Sequence, residues 1–201
     1  MSGSFNMENK LADKIIKILS ETLSRKRYIH SLNVAKEAEK LAVRYGADVE
    51  KCYFAGLLHD IKKEEQPNLM KQQALLNPFK LEEVELNTKA LWHAPASAYF
   101  AYEKLGIHDM EIIGAVRWHT VGKPDMSLTE KVVYLADLVS ADRMYEDVAI
   151  MRKIAYTDID YAMYVAMKMG IIDVLDKNGM LAISSIEAYN FYSKFNKKES
   201  I

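Results

Sequence analysis

Cysteine is almost absent from this 201-residue chain: Cys52 stands alone, so no internal disulfide can form and the composition suits a reducing compartment. Charge of one sign is missing too. The 27 basic and 28 acidic residues leave a formal net charge of −1, which removes the broad positive field of a non-specific nucleic-acid binder and leaves no clear nucleic-acid surface. No apolar run reaches the roughly 20 residues that cross a bilayer. The polar opening Met1 to Lys10 lacks the apolar core of a signal peptide, so a cytoplasmic protein with no membrane association is expected. Sustained strand alternation, internal repeats and a Gly-rich phosphate loop are all lacking, which turns attention away from sheet folds and from P-loop nucleotide binding.

What is present is helical periodicity, and half of the residues are hydrophobic, enough for one well-filled core. Apolar residues recur at helical spacing through Leu11, Ile15, Ile18, Leu19 and Leu23, and again through Ile29, Leu32, Val34, Ala35, Ala38, Leu41 and Ala42. Gly46 is a natural stop, and Asp48 can cap a helix running from Val49 to about His59. The stretch Gln66 to Lys80 reads as irregular chain with at most a short helix. Further helices are expected from about Glu82 to Trp92, with an end at Ala94 before Pro95, then from Ala96 to Leu105, Asp109 to His119, Leu128 to about Arg143 and Asp158 to Leu175. Ser127 with Glu130, and Ser184 with Glu187, have capping-box spacing. The expected fold is all-α, one domain over residues 10–195, flanked by a flexible N-terminal segment 1–9 and a polar tail 196–201.

Only five histidines occur: His30, His59, His93, His108 and His119. His30 opens a helix, His59 and Asp60 close an apolar one, and His93 and His119 each follow a tryptophan near a predicted helix end. Asp137 lies within the apolar run Val132 to Val139, where a carboxylate is costly unless it is paired or ligates a metal. His59 and Asp60 differ by about 100° around a helix, so both can lean toward one ion. Neutral imidazoles with ionised carboxylates suit iron, manganese, cobalt, nickel or zinc better than calcium. Other readings stay open: Asp137 could pair with Arg143 or Arg117, and any single histidine could be a core or surface residue. His108, between Gly106-Ile107 and the candidate cap Asp109, reads as a solvated turn residue.

Read together, Arg27-Tyr28-Ile29-His30-Ser31-Leu32-Asn33, Gly56-Leu57-Leu58-His59-Asp60-Ile61-Lys62-Lys63, Leu91-Trp92-His93-Ala94-Pro95, Val116-Arg117-Trp118-His119-Thr120 and Tyr134-Leu135-Ala136-Asp137 form a recognisable set. It resembles the HD-domain metal phosphohydrolase superfamily, and within it the YqeK-type symmetrical bis(5'-nucleosyl)-tetraphosphatases, or diadenosine tetraphosphate hydrolases. The resemblance covers residues 10–195. It implies an HD-domain helical bundle with a two-metal centre, foremost iron. That centre would cut dinucleoside tetraphosphates into two nucleoside diphosphates by a metal-activated hydroxide. Carried over, His30, His59, Asp60 and Asp137 would hold one ion, and His93 and His119 the second, with Asp60 bridging. Asn33 stands where glycine is expected, and Ser140 where glutamate is usual, with Arg143 retained three residues later. The alternatives are a single-metal HD nucleotidase or phosphodiesterase and, less favoured, a non-enzymatic interaction module.

Lys63, Arg143 and Arg27 are candidate phosphate contacts, and Thr120 and Gly122 could donate to a phosphate or permit close backbone approach. Each also has a plain reading: Lys63 and Arg27 as solvated cations, Arg143 paired with Asp142 or Asp147, and Thr120 and Gly122 as loop formers. Trp92 and Trp118 are expected to pack and fix the helix ends. The stripe Tyr156, Tyr161, Met163, Tyr164, Met167 and Met169 reads first as core, and could also shape an adenosine pocket or a subunit interface. A nucleotide substrate is the expected small-molecule partner, and a homodimer is left open.

Overall fold

The computed structural model describes residues 2–196, with side chains from Lys10 onward, so the tail expected beyond Asn196 lies outside the described residues. Among these residues every regular element is helical. Helix α1 (Ser2–Thr22) begins ahead of the Leu11 start that the apolar spacing predicts, taking in residues 2–9, because adding turns to a nucleated helix costs little. Its Ile15 and Leu19, with Leu23 just past its end, form one buried stripe at four-residue spacing against α3 (Val49–Leu58).

Helix α2 (Arg25–Tyr45) stops at Gly46, whose φ of 72° is the left-handed cap that glycine adopts without a steric penalty. The Asp48 carboxylate then accepts the Lys51 amide proton and starts α3. The two helices approach so closely that a Cβ on Gly56 would lie 2.8 Å from the Ala35 Cα. That approach sets the His30 and His59 rings 5.3 Å apart.

Helix α8 (Leu128–Val139) runs between two apolar clusters, giving Val132, Leu135, Ala136 and Val139 to one and Val133 to the other. Its Ser127–Glu130 capping box forms in both directions. Helix α7 (Met110–Trp118) and α3 line the second cluster; α9 (Val148–Thr157), α10 (Ile159–Asp176) and α11 (Ile183–Tyr192) close the first.

Several elements differ from expectation for identifiable reasons. The segment after Gln66 is a nine-residue helix, α4 (Pro67–Leu75), started by Pro67 in its first turn. The helix expected from Glu82 to Trp92 breaks at Thr88 into α5 (Glu83–Asn87) and a 3-10 turn, Lys89–Leu91. Pro95 does not end a helix; it sits in the first turn of α6 (His93–Tyr99), where its missing N–H needs no partner. The helix expected over Ala96 to Leu105 passes into a wider π segment, Phe100–Lys104. Helix α8 ends at Val139, short of Arg143, because Ser140 turns extended (φ −52°, ψ 159°). Arg152 of α9, a helix the periodicity did not reveal, donates to the freed carbonyls of Val139 (2.9 Å) and Ser140 (2.7 Å). The Ser184–Glu187 box does not form either: the Glu82 carboxylate accepts the Ile183 and Ser184 amide protons at 2.6 and 2.8 Å and caps α11 from across the fold.

Arg117 is fully buried, with its Nη2 donating to the Glu85 carboxylate at 2.7 Å and its guanidinium stacked 4.2 Å from the Trp118 ring. The pair ties α5 to α7. Glu85→Ala would leave a buried cation without its partner and is expected to cost about 3–5 kcal/mol in urea unfolding, whereas the double variant Glu85→Leu/Arg117→Met should recover much of that loss.

Candidate metal centre

Three helix ends and two helices along their length deliver the candidate side chains to one place. His30 comes from the second turn of α2, His59 and Asp60 from the end of α3, His93 from the start of α6, His119 from the end of α7, and Asp137 from α8. The structure brings all six together. His30, His59 and Asp137 form one group of donors able to hold an ion, and Asp60, His93 and His119 form a second, with the donor atoms of each group within 4.8 Å of one another. His108 lies elsewhere, against the Tyr102 ring on the surface.

Distances define the two groups. His30 Nε2 lies 3.0 Å and His59 Nε2 3.9 Å from Asp137 Oδ1. His93 Nε2 and His119 Nε2 lie 3.3 and 3.6 Å from Asp60 Oδ1, and 3.2 Å from each other. The other Asp60 oxygen is 3.8 Å from His59 Nε2, so this carboxylate faces both groups.

Which nitrogen points inward is decided by what holds the other one. His59, His93 and His119 each set Nδ1 at 2.7–2.8 Å from the carbonyl three residues upstream, those of Gly56, Ala90 and Val116. A carbonyl can only accept, so Nδ1 carries the proton and Nε2 presents a lone pair to the centre. His30 makes the equivalent contact with the Asp142 carboxylate at 2.8 Å. His30 Nε2, His59 Nε2 and Asp60 Oδ1 are buried and make no hydrogen bond. Orphaned buried acceptors are unfavourable unless a cation serves them. The residues present therefore fit a pair of divalent ions.

Protonation follows the same pattern. Burial lowers His59 to about 4 and carries His93 well below its ordinary value. Burial alone would raise Asp60 and Asp137, yet the histidines around both, with Lys63 beside Asp60 and Arg143 beside Asp137, hold them below the usual carboxylate range. His30 goes the other way: burial pulls it down, but the carboxylates of Asp137 and Asp142 outweigh this and raise it above 6.5. Ionised carboxylates and mostly neutral imidazoles form a nitrogen and oxygen donor set suited to first-row transition ions.

Asp142 is the functional residue that sequence reading missed. It accepts from Asn33 Nδ2 at 3.1 Å and from Ser140 Oγ at 3.0 Å, so the two positions that depart from the expected pattern both clasp the carboxylate that orients His30. No local spacing announces this contact; Asn33 and Asp142 are 109 residues apart.

The expected substrate contacts are placed as follows. Lys63 Nζ is 2.8 Å from His93 Nε2 and 3.5 Å from Asp60 Oδ1, while Thr120 Oγ1 is 3.1 Å from Nε2 of both His93 and His119. Arg27 Nη1 reaches Asp60 Oδ2 at 3.0 Å. Arg143 does not pair with Asp147; its Nε donates to the Asp137 carbonyl at 2.6 Å and its Nη2 to the Asp137 carboxylate. Gly122 has φ 69°, and the space above it is taken by Met167, whose Cε would lie 2.5 Å from an added Cβ. Trp92 donates its indole N–H to the Glu85 carbonyl at 2.8 Å, and Trp118 packs on Phe79 and Arg117.

Residues 27–142 match the family model of the HD domain. The chain belongs to the HD-domain family and is a metal-dependent hydrolase of that superfamily. It is 33% identical over 179 residues to the symmetrical bis(5'-nucleosyl)-tetraphosphatase of Bacillus subtilis, covering 89% of this chain and 96% of the relative. The Staphylococcus aureus protein of the same description is 31% identical over 184 residues, 90% and 94% of the two chains. A crystal structure of a predicted HD superfamily hydrolase involved in NAD metabolism from Clostridium acetobutylicum superposes with a TM-score of 0.87 at 34% identity, covering 92% of this chain and 98% of that one.

Two outcomes follow from the first donor group. Asp142→Ala should weaken the ion held with His30 by about 10–100-fold, read by metal titration of the His93→Ala background, where only the first group is complete. In that background an ion must displace the proton that Asp137 and Asp142 favour on His30. Affinity is therefore expected to be full above the raised His30 pKa and to fall about tenfold per unit as pH drops below it; a pH-independent affinity would contradict the assignment.

Proposed function

We propose that this hydrolase cleaves diadenosine tetraphosphate and related dinucleoside tetraphosphates symmetrically, giving two nucleoside diphosphates. The observation that carries the reading is the pair of three-donor groups, with Asp60 of the second also facing the first, at a mouth lined by Lys63 and Thr120. The named relatives in Bacillus subtilis and Staphylococcus aureus support the same substrate class.

His30, His59 and Asp137 would hold one ion and Asp60, His93 and His119 the other, with iron foremost and manganese, cobalt, nickel or zinc as alternatives. When bound, such a pair lowers the pKa of water and neutralises charge on the attacked phosphate. This chain supplies the rest. Water adds across the central phosphoanhydride, its hydroxyl going to one inner phosphorus and its proton to the departing diphosphate. Lys63 and Thr120 lie at the entrance to meet phosphate oxygens, and Arg27 and Arg143 provide positive charge behind the carboxylates. No serine or cysteine nucleophile is required. A single-metal HD nucleotidase is less favoured, because the convergence of His93 and His119 on Asp60 would then serve no ion.

With diadenosine tetraphosphate, two ADP molecules per substrate are expected, with turnover abolished by chelation and restored by a transition ion. AMP with ATP would overturn the assignment. Asp60→Ala should lower kcat by about 10³-fold or more, equivalent to about 4 kcal/mol of barrier, while ADP binding is partly retained.

A further inference from the structure

Arg152 of α9 makes no ion pair among the described residues; its guanidinium is directed at neutral carbonyls. Nε donates to that of Val139 at 2.9 Å, and Nη2 to those of Ser140 at 2.7 Å and Arg143 at 3.1 Å. The first two bonds finish α8. The third does not, because Arg143 lies beyond the helix, past the extended Ser140. The guanidinium therefore grips both ends of the turn that follows, in which the Arg143 amide donates to the Ser140 carbonyl at 3.0 Å. A planar fork fixes the directions of such bonds, which the rotating ammonium of a lysine does not.

That turn sends one contact to each of two donors of the first group. Asp142 Oδ2 meets His30 Nδ1 at 2.8 Å, and Arg143 holds Asp137 by both its carbonyl and its carboxylate. Among the described residues neither makes a hydrogen bond or ion pair with Asp60, His93 or His119. Apolar packing does not fix the turn: Ala141 and Asp142 are exposed, and Met144 is 88% exposed. The chain is anchored on either side, by Val139 in the first apolar cluster and by Tyr145 packed against it. Between these anchors the backbone is held by Arg152. Arg152 has a firm base of its own, since Met151 beside it and Ala155 one turn on are buried in the same cluster.

We infer that Arg152 is a positioning residue for the first donor group: by fixing the turn from Ser140 to Arg143 it keeps Asp142 on His30 and Arg143 on Asp137. It thereby sets the affinity for the ion that His30, His59 and Asp137 would hold, and leaves the second group untouched. The inference rests on the two-ion reading above. When the turn is released, Asp142 leaves His30, and an imidazole whose outer nitrogen is unheld binds its ion more weakly. The two groups then have separate supports at a distance, Glu85, Arg117 and Trp92 behind His93 and His119, and Arg152 behind His30 and Asp137.

The test titrates the full chain with manganese by calorimetry in two backgrounds: His93→Ala, where only the first group is complete, and His30→Ala, where only the second is. Adding Arg152→Ala should raise the Kd for manganese about tenfold in the first background, the low end of the loss when a ligating histidine gives up its outer partner, and less than about twofold in the second. Arg152→Lys, which keeps the cation and the packing of its stem, should recover part of the loss and serves where the alanine variant folds poorly. With Asp142→Ala also present, Arg152→Ala should add less than about threefold, because both changes act on the same ring. Equal losses in both backgrounds, which a role in folding alone predicts, would overturn the inference. So would unchanged affinity in the first background or fully additive losses with Asp142→Ala. Failure of His93→Ala itself to bind manganese would overturn the two-ion reading together with the inference.

Discussion

Imidazoles that are to hold an ion must present a bare nitrogen to the centre they share. For three of the rings this is met at the backbone: His59 and His119 lie at helix C-termini, where carbonyls are left without helical partners, His93 follows the Lys89–Leu91 turn, and each donates its Nδ1 proton to the carbonyl three residues before it. The choice of tautomer is thus made by the helix termini, before any ion is considered. His30 lies inside α2, where no such carbonyl is free, and its Nδ1 is held by Asp142 instead. The rest of the architecture serves to bring these termini together. Gly56 lets α2 and α3 close, α8 threads between the two apolar clusters to present Asp137, and the buried Arg117–Glu85 pair fixes α5 against α7.

The second donor group has its own supports. His93 follows the 3-10 turn Lys89–Leu91, and that short segment could not hold a ring in place unaided. Trp92, its neighbour, donates to the Glu85 carbonyl, while the Glu85 carboxylate takes Arg117, two residues before His119. One residue on a five-residue helix, through its carbonyl and its carboxylate, therefore links the two histidines that converge on Asp60. Glu82, a turn earlier, caps α11 and so joins this segment to that helix.

Much of this was legible in the sequence, because the signals were local or were types of residue out of place. A carboxylate inside the run Val132 to Val139, and histidines following tryptophans at helix ends, mark the donors without any tertiary information. The all-helical architecture follows from apolar spacing, and the Ser127–Glu130 box is read and found as such. What escaped was decided by distant partners. Glu82 displaces the expected Ser184–Glu187 box from 101 residues away in sequence, and Arg152 ends α8 by claiming its last carbonyls. Pro95 was misplaced for a different reason: proline is excluded from helix interiors but welcome in a first turn, and only the position of Thr88, extended at φ −113° and ψ 101°, tells which applies.

Asp142 shows how a departure from a family pattern can be made good by a neighbour. With serine at 140, the chain has no carboxylate at that position, yet Ser140 and Asn33 both donate to Asp142 and hold it on His30. The charge accounting around the centre has the same economy. Asp60 and Asp137 are each matched by an arginine, Arg27 and Arg143, and Lys63 stands between Asp60 and His93. Isolated ionised carboxylates could not be kept in so buried a place. The three cations thus let the fold assemble its donors in ionised form. At Asp137 the arginine and His30 share Oδ1, whereas at Asp60 Arg27 takes Oδ2 and leaves Oδ1 to the histidines of the second group.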